Sequence, residues 1–241
     1  MTTNASLDAL HAVRFPGESD DYRRQRNGLL EAEMELRRQE AAVAAQRREL
    51  PLGGEVPEDY TFDEWDPQTN TSRQVRLSEL FEDGKDELFV YNFMYRPGEK
   101  GLQLEGPCPL CTSIIDAVDG QAQHITQRVN LAVITKAPIE RFQLHGASRG
   151  WRHARLLSSA NNDFNRSYQA ENDDGEQSAM ASVFVRRDGR IHHFWSSELA
   201  FVDAEEGQQP RHVDFLWPLW PVFDRTPSGR GDSWYPELSY E

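Results

Sequence analysis

Both cysteines of this chain fall within six residues, Gly106-Pro107-Cys108-Pro109-Leu110-Cys111, between a strand-length apolar run and an amphipathic segment. Upstream, Leu88-Phe89-Val90-Tyr91-Asn92-Phe93-Met94 is nearly unbroken in β-favouring residues, the pattern of a central strand covered on both faces. Downstream, Cys111, Ile114, Ile115, Val118, Ala122 and Ile125 recur at intervals of three and four. That spacing predicts a helix with one buried stripe, with Thr112, Asp116, Asp119 and Gln123 facing away. Pro109 suits the first helical turn, because its missing N–H has no partner to lose there and its φ is already helical. Cys108 therefore stands at the helix N-terminus. Unpaired amides and the positive end of the helix dipole favour its thiolate, an effect that brings a cysteine pKa from about 8.5 to roughly 3.5–7.5. On this reading Cys108 is the nucleophile and Cys111, one turn inside, the resolving thiol.

Two blander readings compete: an inert pair of small buried side chains, or half a zinc site. His124 follows at finger-like distance, but Arg128, Val129 and Asn130 stand where a second histidine is needed. Thiol exchange is the reading that uses the helix N-terminus.

The remaining sequence narrows the setting. With 241 residues, a formal charge of −14 and a pI near 5.0, the chain has room for a full core and lacks the clustered Lys and Arg that nucleic acid or anionic membrane rewards. Residues 1–14 lack the apolar stretch of a signal peptide, and no segment approaches the roughly 20 apolar residues of a membrane span. The expectation is a cytoplasmic protein, where a close cysteine pair is catalytic or metal-binding more often than structural.

In chain order, residues 1–17 read as a flexible arm. Residues 18–50 read as one long helix of roughly 45 Å, rich in Glu, Arg, Gln, Ala and Leu, with Asp20 and Asp21 in its first turn. Tyr22, Leu29, Leu36, Val43 and Leu50 recur every seven residues, a narrow stripe that suits either a helix lying on its own domain or one pairing with its twin in a homodimer. Two short strands follow around Asp66-Pro67, then a helical turn at Ser78-Glu79-Leu80-Phe81. Arg96-Pro97-Gly98-Glu99-Lys100-Gly101 reads as a mobile loop without the ending of a phosphate loop. After the cysteine helix come a strand at 131–134, a helix opened near Pro138 and closed by Gly150-Trp151, and a strand at 156–159. Asn161-Asn162-Asp163-Phe164-Asn165 supplies helix caps, and residues 171–176 form an acidic loop. Arg187-Asp188-Gly189-Arg190 turns a hairpin between two apolar runs. The tail from Phe215 through Trp234 is aromatic and proline-rich, and is expected to lie on the domain. Strand, cysteine helix, strand, helix, strand and terminal hairpin predict an α/β protein with helices on both faces of a mixed sheet. A vicinal cysteine pair between the strand and helix of such a unit is a thioredoxin-like signature.

Several separated stretches carry a closer likeness. They are residues 31–39 (EAEMELRRQ), 54–60 (GEVPEDY) and 91–95 (YNFMY), with Cys108-Pro109-Leu110-Cys111, Gly150-Trp151, Ser158-Ser159 and Asp163-Phe164-Asn165. From about Ser19 to Gly231 the chain resembles the bacterial thioredoxin-like family known as domain of unknown function 899. The resemblance implies a thioredoxin-like fold and a suspected dithiol chemistry; the expected organisation is a thioredoxin-like domain at 51–225 with a tail at 226–241, and no cofactor is expected. Two departures temper it. Residues 178–182 hold no proline where thioredoxins carry a cis-proline, which weakens a general protein-disulfide reductase. Residues 154–189 look like the corresponding part of alkyl hydroperoxide reductases, yet the Pro and Thr that precede a peroxidatic cysteine are not found before Cys108.

The expected function is thus thiol–disulfide exchange through Cys108 and Cys111 with a protein or low-molecular-weight thiol or disulfide. The alternatives are a non-enzymatic redox-sensing or binding module and a thiol peroxidase. Supporting candidates are Pro109, Trp151, Tyr95 and Arg96, the last two at the strand end where open α/β sheets place their ligands. His145 and His153, beside Trp151, read as surface histidines, and adjacent His192 and His193 point to opposite faces of a strand.

Overall fold

A computed structural model describes residues 10–66, 68–96, 106–204, 212–231 and 234–241. The chain divides into two compact units, residues 1–51 and 52–241. The first is dominated by helix α1 (Asp20–Arg48), capped by the Ser19 hydroxyl, which accepts the Tyr22 N–H, with Asp20 and Asp21 in the first turn and Arg47 and Arg48 in the last.

The second unit is built on a seven-stranded sheet in the order β2-β1-β7-β6-β3-β8-β9. The strands are β1 (Thr61–Asp66), β2 (Thr71–Arg76), β3 (Glu87–Phe93), β6 (Asn130–Thr135), β7 (Leu156–Ser158), β8 (Met180–Arg187) and β9 (Arg190–Ser196). Strands β3, β6 and β7 run parallel; β8 pairs antiparallel with β3, β9 with β8, and β1 with β7. The two-residue strands β4 (Tyr95–Arg96) and β5 (Gly106–Pro107) form a separate antiparallel ribbon ahead of the cysteines. Strand β3 is buried from Val90 to Phe93 and β6 throughout, as their unbroken apolar runs require. The hairpin forms where Asp-Gly allows it, with Asp188 at φ 52° and Gly189 at φ 77°. This α/β arrangement, a mixed sheet with parallel βαβ units and a terminal antiparallel hairpin, is thioredoxin-like.

Helix placement is less even than the sequence suggests. The two long helices of this unit, α2 (Pro109–Ile125) and α3 (Ile139–Arg149), bury their apolar stripes in one cluster, where Ile114, Ile115, Val118 and Phe142 pack with Tyr91, Phe93, Leu131 and Val133. The opposite cluster of Val90, Ile134, Leu157 and Phe184 is closed by a 3-10 turn at Leu77–Leu80, the hairpin residues Tyr60 and Phe62, and Phe164 of the one-turn helix α4 (Phe164–Ser167). Two further expectations need correction. Thr112 and Asp119 are buried rather than outward-facing, because each has a polar partner inside: His145 for Thr112, and the backbone N–H groups of Arg152, His153 and Ala154 for Asp119. Asp163 makes no side-chain cap; the Asn162 carboxamide accepts the Phe164 N–H at 3.0 Å instead. Within the acidic loop, Glu171 is buried and pairs with Lys136. The mobile loop read at 96–101 lies outside the described residues from Pro97 onward. The aromatic tail does lie on the domain, with Trp217 buried in the cysteine-side core and its indole N–H donated to Ser113 Oγ at 2.9 Å.

Candidate active site

Strand β3 ends at Phe93, and the next residue fixes the cysteine loop: the Met94 carbonyl accepts the Cys108 N–H at 3.0 Å. Gln177 holds the neighbouring strand end, its carboxamide accepting the Tyr95 N–H at 2.9 Å and donating to the Tyr95 carbonyl at 3.1 Å. Cys108 is the N-cap of α2, in extended conformation (φ −68°, ψ 126°), and Pro109 is the first helical residue. The proline has no N–H, so the first free amides are those of Leu110 and Cys111, and both favour charge on the Cys108 sulfur.

The two thiols are free and differ sharply. Cys108 is partly exposed, and its pKa is lowered to about 6. The largest cause is a hydrogen bond from the Cys111 thiol; burial opposes it, and the amides of Cys111 and Leu110 and the Tyr235 hydroxyl add to it. Cys111 is fully buried, which pushes its pKa well above that of an ordinary thiol, and the Cys108 charge beside it pushes the same way. The Tyr91 hydroxyl donates to Cys111 Sγ at 3.3 Å from the strand beneath. Burial also raises the Tyr91 pKa far above 10, so the phenol keeps its proton. The result is a donor chain, Tyr91 O–H to Cys111 S–H to Cys108 S⁻, in which two neutral groups stabilise one anion.

Around this chain the sequence candidates take different places. Tyr95 is buried beside Phe93 with the Arg141 guanidinium 5.2 Å over its ring, and no hydrogen bond joins it to either sulfur among the described residues. Arg96 contributes backbone to β4; its side chain lies outside the described part. Trp151 packs edge-on against Phe93 and His145 and sends its indole N–H to Asp116 Oδ1 at 2.8 Å, so it braces the helix rather than touching a thiol. His145 is not a surface residue. Half-buried between Phe93, Tyr95 and Trp151, it sits 3.0 Å from Thr112 Oγ1, which donates to the Cys108 carbonyl at 2.9 Å. Burial lowers the His145 pKa to about 4, so the ring is neutral near pH 7 and positions the first turn of α2 without taking a proton from it. His153 is exposed, and His193 turns to Ser196. His124 is exposed too, and among the described residues no three His, Cys, Asp or Glu side chains gather as a metal site.

Two groups at the site escaped sequence reading. Tyr91 was signalled, since a buried tyrosine in a central strand needs a partner for its hydroxyl. Tyr235, whose hydroxyl lies 4.0 Å from Cys108 Sγ, is 127 residues away in sequence, and nothing local announces it.

Several solved structures align with this chain at low sequence identity. Reduced 2-Cys peroxiredoxin of Plasmodium vivax aligns with a TM-score of 0.42 at 16% identity, over 58% of this chain and 81% of that one. Reduced Prx3 of Vibrio vulnificus in complex with hydrogen peroxide gives 0.43 at 12%, over 66% and 92%, and peroxidoxin BcpB of Mycobacterium tuberculosis 0.41 at 20%, over 69% and 94%. No curated protein matches the sequence. A family model described as bacterial protein of unknown function (DUF899) matches residues 13–240, and the chain belongs to that family.

Proposed function

We propose that the protein is a thiol–disulfide oxidoreductase in which Cys108 attacks and Cys111 resolves. The observation that carries this reading is the asymmetry of the pair: an accessible sulfur held as thiolate at neutral pH, and a buried neighbour one turn away that keeps its proton and lends it a hydrogen bond. The Cys108 thiolate attacks one sulfur of a disulfide, R–S–S–R, forming Cys108–S–S–R and releasing RS⁻. Cys111 then loses its proton to the departing thiolate and displaces the second RS⁻, leaving a Cys108–Cys111 disulfide and two reduced thiols; two electrons pass from the dithiol to the substrate. The setting proposed is the cytoplasm, where an external reductant restores the dithiol; among the described residues no helix is long and apolar enough to cross a membrane.

Trapping tests this directly. The reduced Cys111→Ser protein, mixed with a disulfide, is expected to accumulate a mixed disulfide at Cys108 visible by intact mass, whereas the native protein passes on to the internal disulfide. Absence of both adducts overturns the proposal in favour of a binding module. A burst of peroxide consumption with a sulfenic acid at Cys108, and no reaction with disulfides, makes it a thiol peroxidase instead.

We further propose that two chains pair through α1. Its seven-residue stripe is exposed, from 42% at Val43 to 56% at Leu36, which suits a narrow two-stranded seam. Sedimentation is expected to give a dimer for the native chain and a monomer for the Leu29→Glu, Leu36→Glu variant. A native monomer removes the proposal.

A further inference from the structure

The segment carrying Tyr235 lies over the more accessible of the two sulfurs, and it is fastened on both sides along the chain. Before Tyr235, Trp234 packs edge-on against Trp220 (5.8 Å) and Phe223 (5.3 Å), and Trp220 in turn against buried Trp217 (4.9 Å). After it, the Leu238 carbonyl accepts a 2.7 Å hydrogen bond from Arg149 Nη1. Arg149 is held by Asp116, the carboxylate that also takes the Trp151 indole N–H. Asp116 lies on the second turn of α2, so the fastening is made to the very helix that presents Cys108.

We propose that this C-terminal segment is a cover that selects substrates by size: low-molecular-weight disulfides reach Cys108, and disulfides on folded proteins do not. The inference rests on the dithiol chemistry proposed above. An attacking sulfur must approach along the line of the S–S bond it breaks, so the substrate disulfide has to come into contact with Cys108 Sγ end-on. The space beside that sulfur is partly filled by the Tyr235 ring. A short linear disulfide has little bulk beyond its sulfurs and slides past one side chain, while a protein surface carries a flat front of backbone that meets the whole segment. The cover is a single layer: Trp234, Tyr235 and Leu238 remain 39%, 53% and 37% exposed, so little core is lost when it lifts. The Tyr235 hydroxyl is also placed to donate to the thiolate, a second and separable effect.

The test compares the full-length reduced protein with hydroxyethyl disulfide and with insulin, reading formation of the Cys108–Cys111 disulfide by mass. The native protein is expected to react with the small disulfide at least about a hundredfold faster than with insulin, and Arg149→Ala, which frees the Leu238 carbonyl, to narrow that ratio about tenfold by populating the open segment. Tyr235→Gly narrows it as well. Tyr235→Phe keeps the bulk and removes only the hydroxyl, so it leaves the ratio in place while raising the pH at which Cys108 alkylates. Equal reactivity of the native protein with both disulfides, or a ratio unmoved by Arg149→Ala and Tyr235→Gly alike, overturns the cover and leaves the dithiol chemistry standing. Failure of both disulfides to oxidise the pair, in native and variants, instead removes the oxidoreductase reading itself.

Discussion

Replacing Cys111 with alanine separates the two sources of Cys108 acidity. With its pKa near 6, Cys108 is about nine-tenths ionised at pH 7, whereas a thiol titrating at 8.5 is about 3% ionised. The Cys111 thiol is the largest single support of that charge, ahead of the amides of Cys111 and Leu110. A hydrogen bond to a charged group is worth about 1.5–3 kcal/mol, and each 1.36 kcal/mol moves a pKa by one, so its loss raises Cys108 to about 7–8. The amides and Tyr235 remain and keep it below 8.5. Cys111→Ser retains a donor of similar size at the same position and is expected to stay within about half a pH unit of the native value. Tyr91→Phe removes the donor behind Cys111 and shifts Cys108 by less than about one pH unit, since its effect is transmitted through the intervening thiol. The assay is the pH dependence of iodoacetamide alkylation, followed by thiolate absorbance and intact mass. If Cys111→Ala still titrates near 6, the backbone amides hold the anion alone and the donor chain is wrong. A native value near 8.5 refutes the whole electrostatic account.

Three further perturbations probe the frame around the site. His145 has a folded pKa of about 4, below its unfolded value near 6.5, so its neutral form adds stability that is complete above pH 6.5 and lost as pH falls to 4. Allowing for its partial exposure, His145→Gln is expected to lose about 1–2 kcal/mol less than the native protein between pH 7 and 4.5, measured by urea unfolding; equal losses refute the burial. Asp119→Ala removes the acceptor shared by the N–H groups of Arg152, His153 and Ala154 and is expected to cost about 1–3 kcal/mol in the same measurement, with Asp119→Asn clearly milder. Gly53→Ala places a Cβ 2.5 Å from the His193 carbonyl oxygen, where Gly53 N–H pairs with β9, and is expected to cost about 1–3 kcal/mol; a neutral result means that this edge gives way freely.

The sheet was legible because its strands announce themselves twice, by apolar runs and by the turn chemistry between them. Residues 88–94 and 131–134 read as buried strands and form the parallel centre, while Asp188-Gly189 fixed the terminal hairpin by its positive φ angles. Helical periodicity was a coarser guide. It identified α2 and its buried face, yet placed Thr112 and Asp119 outside, because a hydropathy pattern assigns polar residues to solvent and is blind to a partner supplied by another element. Asp119 is satisfied by amides 33–35 residues away and Thr112 by a ring 33 residues away. Capping was legible as a stretch rather than as a residue: of the caps read across 161–165, Asn162 holds the Phe164 N–H, while Asp163, at the cap position, makes no side-chain cap.

The candidate site divides along the same line. Everything set by local geometry, namely the N-cap position of Cys108, the proline that surrenders no amide, and the burial of Cys111 one turn on, follows from four consecutive residues. Everything set by distance was hidden. The spacing of the cysteines does not show that a tyrosine 20 residues earlier in β3 donates to the buried thiol, nor that one 127 residues later stands over the exposed one. These two phenols act on opposite ends of the pair. Tyr91 donates to Cys111, which burial and the Cys108 charge keep protonated as the donor to Cys108; Tyr235 occupies the approach to Cys108 and so governs what meets it. A four-residue motif can thus specify that a thiolate forms, while the reactivity of that thiolate is decided by strand and tail residues whose positions only the completed fold brings together.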